Sequence, residues 1–197
     1  SVCVLPVRED GSLGDATDLV QHRGSSVHGV RQAGPHPHYV TFDRGGQCVF
    51  VCDLGMDKVM IYRMDAARGA LEPHAVPWAP ARPGAGPRQI VFHPQGDFAY
   101  TINELDSTIT AFRYDAAGGI PSEMQTVSTL PPGFTGQSTG AEMEVSPSGD
   151  CLYASNRGHD SIAMFAIDRS EGTLTCTGHQ STRGRTPRGF ALDGAGE

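Results

Sequence analysis

No apolar run in this sequence approaches the roughly 18 residues that a membrane-spanning helix needs. Positive charge is also scarce, because 15 Lys and Arg residues stand against 22 Asp and Glu residues and give a formal net charge of −7. General nucleic-acid binding requires a basic surface. The composition therefore predicts that neither a membrane nor a nucleic acid is a partner of this protein.

Recognisable metal and nucleophile motifs are missing from the sequence as well. The cysteines form no CxxC pair and no Cys/His ligand spacing, and no Ser-His-Asp order or phosphate-binding glycine loop stands out. Free cysteines are usually small buried residues of a reducing compartment. We therefore expect no metal, no other cofactor and a cytoplasmic location. The five cysteines are Cys3, Cys48, Cys52, Cys151 and Cys176.

Glycine and proline, by contrast, are plentiful, with 25 and 14 residues. Both favour turns over helix interiors, so they indicate an all-β chain rich in turns. Three segments of 28 residues align with one another, and their first residues lie 50 and 53 positions apart. A fourth copy begins 47 positions later, at Arg188. All-β repeats of this length are typical of β-propellers. The aligned segments are 38–65, 88–115 and 141–168.

The pattern inside one repeat predicts a four-stranded antiparallel blade. A short apolar strand (QIVF, 89–92) is followed by FAYTIN (98–103), the alternating TITAFRYD (108–115) and a weaker EMQTVSTL (123–130). A β-sandwich would give no reason for the regular period. We expect one propeller domain over 1–197, with about three whole blades and two partial ones. The segments are 1–30 (outer strands of one blade), 38–80, 88–130, 141–182 and 188–197 (start of the next). A partial ring exposes edge strands, so we expect it to be unstable alone.

Strand order predicts where polar residues of different blades meet. If the first strand of a blade is innermost, its start and the end of the antiparallel second strand lie at the same mouth of the central channel. These positions carry different charges from blade to blade, which suits one asymmetric ligand. Arginines there would bind an anion, and a carboxylate or imidazole would transfer a proton. Ion pairs that merely close the channel are the alternative. The positions are His38, Arg88, Glu104, Arg157 and Arg188.

Other polar residues carry weaker signals. Asp57, Asp106 and Asp160 recur just before the third strand of each blade, and recurrence favours a structural role in turns. His159 follows Arg157 by two residues, so it is within reach of the channel mouth. We include His159 among the candidate substrate-binding residues.

Several stretches of the sequence resemble the propeller-type 6-phosphogluconolactonase family, which also includes carboxymuconate cyclases. They are GPHPHYVTFD (34–43), GAGPRQIVFHPQGDFAYTINELDSTITAFRYD (84–115), QTVSTLPPGFTG (125–136), SPSGDCLYASNRGHDSIAMFAID (146–168) and GRTPRGFALD (184–193). The resemblance covers essentially the whole chain and implies a seven-bladed propeller in the intact protein. It also implies active-site roles for His38, Arg88, Glu104 and Arg157.

The resemblance implies a carboxylic ester hydrolase of carbohydrate metabolism (the pentose phosphate pathway), which converts 6-phosphogluconolactone, a small anionic lactone, to 6-phosphogluconate. We expect Glu104 to be the general base, with His38 as its substitute or as the partner acid. Arg88 would stabilise the oxyanion. Arg157 and Arg188 would bind the phosphate. Two alternatives stay open: a cycloisomerase that lactonises a carboxymuconate, and a non-catalytic propeller that serves as a binding scaffold.

Overall fold

The computed structural model describes residues 1–193, which form strands joined by turns and contain no helix. A two-stranded sheet comes first and is followed by three four-stranded antiparallel sheets, in each of which a strand pairs with the next along the chain. We call the three sheets blades A (β3–β6), B (β7–β10) and C (β11–β14). The strands are β1 (Val2–Val4), β2 (Asp18–Val20), β3 (Pro37–Phe42), β4 (Cys48–Asp53), β5 (Lys58–Asp65), β6 (Ala70–Pro80), β7 (Pro87–Phe92), β8 (Phe98–Asn103), β9 (Thr108–Asp115), β10 (Ile120–Ser128), β11 (Thr139–Val145), β12 (Cys151–Arg157), β13 (Ser161–Ile167) and β14 (Leu174–Ser181).

Blades A and B each bury their second strand on both faces. All residues of β4 and of β8 are buried, and both strands are rich in the β-branched and aromatic residues that suit extended backbone. A strand that is apolar on both faces must lie between two packed layers. Each of these two blades is therefore covered on either side by its neighbours.

Apolar cores fill the spaces between neighbouring blades. Between blades A and B, Phe50 meets Phe92 and Tyr114 edge to face, with ring centroids 5.1 and 5.8 Å apart. Between blades B and C, Tyr100 and Phe165 belong to a single buried cluster. Aromatic pairs of this geometry add stability beyond the area that they bury. Four-stranded sheets stacked in this way are the blades of a propeller, which confirms the predicted fold class.

A buried polar network fixes the segment that leads into blade A. Nδ1 of His22 lies 2.6 Å from Oδ2 of Asp53, and Nε2 of His22 lies 2.9 Å from the hydroxyl of Tyr62. The other oxygen of Asp53 accepts a hydrogen bond from the backbone N–H of His36 at 2.8 Å. Since buried carboxylates require such partners, this network holds the backbone two residues before His38.

The turns before the third strands share a left-handed residue, with φ of 52°, 53° and 55° at Asp57, Ser107 and Asp160. Asp57 accepts hydrogen bonds from two backbone N–H groups of the next loop, at 2.7 Å each, and Asp160 accepts one from Thr186 at 2.8 Å. Their role is structural. In blade B the residue equivalent by position is Ser107, so Asp106, which precedes Ser107 by one position, does not belong to this set.

The cysteines do not all have the buried environment that their free state suggested. Cys48 and Cys52 lie in the core between blades A and B, but Cys3 and Cys176 are exposed. Cys151 is half-buried. The prediction that the cysteines are small buried residues is therefore right for two of the five. Residues 1–193 include no helix of the length and apolar character that crossing a membrane requires.

The first strands of the three blades lie next to one another, because β7 contacts β3 on one side and β11 on the other. The predicted start of a further blade covers residues 188–197. Residues 188–193 form no strand in the described part of the chain, and residues 194–197 lie outside it. Arg188 itself is described and is exposed.

Candidate active site

Bulges at the starts of the first strands position two of the predicted site residues. In β3, Pro37 pairs with Asp53 and Tyr39 pairs with Cys52, so His38 is an extra residue in the ladder. In β7 the register shifts in the same way between Pro87 and Gln89, which leaves Arg88 as the extra residue. A bulge turns its side chain out of the regular alternation of a strand. A proline precedes each bulged residue, and proline suits the edge of a bulge because it has no N–H to donate to the neighbouring strand.

Backbone hydrogen bonds fix Glu104 between the loop before β7 and the strand β11. Its N–H donates to the carbonyl of Gly86 at 2.7 Å, and its carbonyl accepts from the N–H of Gly140 at 3.1 Å. Gly86 precedes the first strand of the same blade, whereas Gly140 lies in the first strand of the next blade. The end of β8 is thereby tied to the start of both first strands, so the backbone at Glu104 has little freedom.

Three arginines from different parts of the chain meet at the Glu104 carboxylate. Nε of Arg88 and the guanidinium of Arg157 lie 3.1 and 2.9 Å from Oε2. Arg31 forms an ion pair with Oε1. The side chains of Glu104 and Arg88 are 4% and 6% exposed, those of Arg157 and Arg31 19% and 46%. The structure thus brings Arg88, Glu104 and Arg157 together, as the sequence predicts.

The arginines change the proton affinity of Glu104. Burial raises the pKa of this carboxyl group, but the hydrogen bond from Arg31 and the charges of Arg157 and Arg31 outweigh it and lower the pKa below its ordinary value. A carboxylate with both oxygens in ion pairs and a lowered pKa is a weak base. This geometry suits Glu104 to holding the arginines in place better than to the general-base role that the sequence suggested.

His38 lies in the field of the same cluster. Partial desolvation and the charge of Arg88 lower the pKa of its imidazole, and the charge of Arg188 acts in the same direction. The negative charge of Glu104 opposes these effects without cancelling them. A histidine with a lowered pKa is neutral near pH 7 and has a free nitrogen to accept a proton. His38 is also exposed, so a ligand can reach it.

The two remaining predicted residues lie in different surroundings. Arg188 is near enough for its charge to act on both His38 and Arg88. His159 packs edge to face against Phe134 and His179, with ring centroids 4.8 and 5.6 Å away, and Nδ1 lies 2.7 Å from the hydroxyl of Ser161. The described contacts of His159 are those of a half-buried packing residue.

Sequence reasoning missed Arg31. This residue lies in the segment that enters the first strand of blade A, and such segments border the same end of the blades as His38. That position was the available signal. Arg31 lies between the segment 1–30, which the sequence assigns to an earlier blade, and the first repeat, which begins at His38, so the repeat pattern does not include it.

The stacked blades and this cluster at the starts of the first strands define a β-propeller with a polar, arginine-rich site where neighbouring blades meet. The family described as Lactonase, 7-bladed beta-propeller matches residues 1–197. The chain belongs to this family.

Named relatives agree with this assignment. The chain is 39% identical over 193 residues to the 6-phosphogluconolactonase of Bacillus subtilis strain 168, which covers 98% of the chain and 54% of the relative. The 6-phosphogluconolactonase of Pectobacterium atrosepticum is 33% identical over 196 residues, covering 100% of the chain and 55% of the relative. A solved structure, described as the periplasmic gluconolactonase of Pseudomonas aeruginosa, superposes with a TM-score of 0.93 at 36% identity and covers 98% of the chain and 54% of its own. The chain thus spans about half the length of the relatives that it matches.

Proposed function

We propose that the intact protein hydrolyses a sugar-acid lactone, 6-phosphogluconolactone, to 6-phosphogluconate at the channel mouth formed by these blades. The observation that carries the proposal is the meeting of Arg88 and Arg157 at the buried carboxylate of Glu104, in whose electrostatic field His38 lies. Positive charge suits an anionic lactone whose carbonyl oxygen gains negative charge. The names of the two curated relatives support the same substrate. The reaction belongs to carbohydrate metabolism, in the pentose phosphate pathway.

His38 is the general base in this mechanism. Its neutral imidazole takes a proton from a water molecule whose oxygen attacks the lactone carbonyl carbon. The ring carbon–oxygen bond then breaks, and the leaving oxygen receives the proton from the imidazolium. The water is consumed, the open-chain acid is formed, and His38 returns to its neutral state.

The arginines and Glu104 supply the electrostatics of the reaction. The charge of Arg88 favours the negative charge that develops on the carbonyl oxygen, and loss of such stabilisation typically costs about 3–4 kcal/mol in the barrier. Partial burial and this same charge lower the pKa of His38. Glu104 holds Arg88 and Arg157 in place, and Arg157 attracts the phosphate. The charge of Arg188, which also acts on His38 and Arg88, adds to the attraction for an anion.

A carboxymuconate cycloisomerase is the second candidate, because arginines and a proton-transferring histidine would serve that reaction too. A cytoplasmic location stays a prediction, since one structural relative is described as periplasmic.

The exposure of the arginines around Glu104 argues against a non-catalytic binding scaffold. Two of the arginine partners of Glu104 are partly exposed, so an anion can reach them.

Activity assays on the intact protein discriminate these candidates. We expect it to hydrolyse 6-phosphogluconolactone well above the uncatalysed rate, and Arg157→Met to lower kcat/KM about tenfold or more. The matched control is Arg113→Met, because Arg113 is a similarly exposed arginine paired with Glu171 away from this cluster. Cyclisation of a carboxymuconate without lactone hydrolysis would favour the second candidate, and the absence of both activities would favour a scaffold.

A further inference from the structure

A cavity of about 790 Å³ opens beside the Glu104 cluster. Loops of blades B and C form its walls, and the segment before β3 reaches over it. Ligand pockets commonly have volumes of about 300–1,000 Å³, so this one accommodates a sugar phosphate. Its polar lining includes His28, Arg31, Asp106, Ser138, Thr139 and Arg157.

Positive charge in the Glu104 cluster beside this cavity exceeds what the carboxylate of the cluster neutralises, because Glu104 alone faces three guanidinium groups. Burial lowers the pKa of Arg88, and the charges of Arg157 and Arg188 lower it further against the opposing charge of Glu104. Asp106, the carboxylate in the cavity wall, is already paired with Arg82 at 2.8 Å. Guanidinium groups stay protonated under such conditions.

Arg31 and Arg157 have hydrogen-bonding capacity left for a ligand. Arg31 is 46% exposed although it pairs with Glu104. Arg157 donates to the carbonyl of Gly140 at 2.9 Å, but its buried Nε has no hydrogen-bond partner among residues 1–193. A buried hydrogen-bond donor in a native protein usually has a partner. Arg88, by contrast, is almost completely buried and lies on the His38 side of Glu104.

From this geometry we infer that Arg31 and Arg157 form a phosphoryl subsite, in which Arg31 selects a phosphorylated lactone over an unphosphorylated one. A phosphoryl group has several acceptor oxygens and about two negative charges, which match two guanidinium groups. The hydroxyls of Ser138 and Thr139 lie in the same wall. The inference rests on the proposed lactone hydrolysis. The names of the relatives differ in the same respect, because they include both 6-phosphogluconolactonase and gluconolactonase.

The test compares two lactones, 6-phosphogluconolactone and gluconolactone, with the intact protein and its Arg31→Met variant. We expect Arg31→Met to lower kcat/KM for the phosphorylated lactone at least about tenfold more than it lowers the value for gluconolactone. Arg31→Lys should recover part of the loss, because it retains the charge without the fork of donors. Arg113→Met is the control that removes a comparable exposed charge elsewhere.

Equal losses for both lactones would overturn the inference, because Arg31 would then act only through Glu104. Hydrolysis of both lactones without preference by the unaltered protein would overturn it too. If neither lactone is hydrolysed, the proposed function fails, and binding of inorganic phosphate by isothermal titration calorimetry tests the subsite separately. Weaker phosphate binding in Arg31→Met than in Arg113→Met supports the subsite, and identical binding contradicts it.

Discussion

At the scale of single residues, the site depends on the ion pairs that the Glu104 carboxylate forms with arginines. Glu104 is nearly completely buried, and both of its oxygens contact arginines. If Glu104 were removed, the buried charge of Arg88 would lose its partner, and such losses are costly because a buried charge needs compensation. The carboxylate therefore makes the arginine cluster possible, while the exposed imidazole of His38 is left free for proton transfer.

The pH dependence of kcat/KM tests that division of roles. If neutral His38 is the base, kcat/KM falls as the pH decreases through the pKa of His38, which lies below the ordinary value of 6.5. Arg88→Met removes a charge that lowers this pKa, so the acidic limb of the profile should move to higher pH.

Two further variants make the pH test specific. Arg88→Lys retains the charge and should leave the limb near its original place, and Arg113→Met should not move it. A limb that stays fixed in Arg88→Met would show that another group is the base. A shift in the opposite direction would contradict the sign of the electrostatic effect assigned to Arg88.

At the scale of strands and turns, bulges and tight loops convert a regular repeat into an asymmetric site. The bulges at the starts of β3 and β7 place His38 and Arg88 outside the regular alternation. The turn after Arg157 is tight as well: Gly158 has φ of +115°, and a Cβ there would lie 2.2 Å from the carbonyl oxygen of Gln137. The absence of a side chain at Gly158 therefore allows the backbone of this turn to lie against the backbone of Gln137.

Gly158→Ala should consequently destabilise the protein more than a comparable glycine substitution in open space. The control is Gly133→Ala, since Gly133 also has positive φ (+82°) but a Cβ there would meet nothing within 4 Å. Each change carries the strain of a left-handed backbone, about 1–3 kcal/mol, and only Gly158→Ala adds the clash. Urea denaturation of the intact proteins measures the difference. Equal losses of unfolding free energy in Gly158→Ala and Gly133→Ala would show that the loop around Gln137 moves enough to remove the clash.

At the scale of the whole molecule, the fold was predictable because a blade repeats. The period of about fifty residues and the alternation inside each repeat predict the four-stranded sheets, and the strand order predicts that Arg88, Glu104 and Arg157 lie together. Long-range packing was not predictable in the same way. Nothing in the alignment shows that Arg31 crosses from the segment before β3 to Glu104.

The smaller errors arose where residue type was read without its position or its neighbours. The aligned segments place Ser107 opposite Asp57 and Asp160, and all three are left-handed, whereas Asp106 pairs with Arg82. The exposure of Cys3 and Cys176 likewise depends on which face of a strand meets a neighbour. Residue types alone do not determine either outcome.

The most direct test of the central claim is the rate of 6-phosphogluconolactone hydrolysis by the intact protein and its His38→Gln variant. We expect His38→Gln to lower kcat by about a hundredfold or more, the usual contribution of a general base. His36→Gln is the matched control, because it makes the same chemical change in the same segment at another exposed histidine. Full activity in His36→Gln with loss in His38→Gln would support the account. Undiminished hydrolysis by His38→Gln would contradict it.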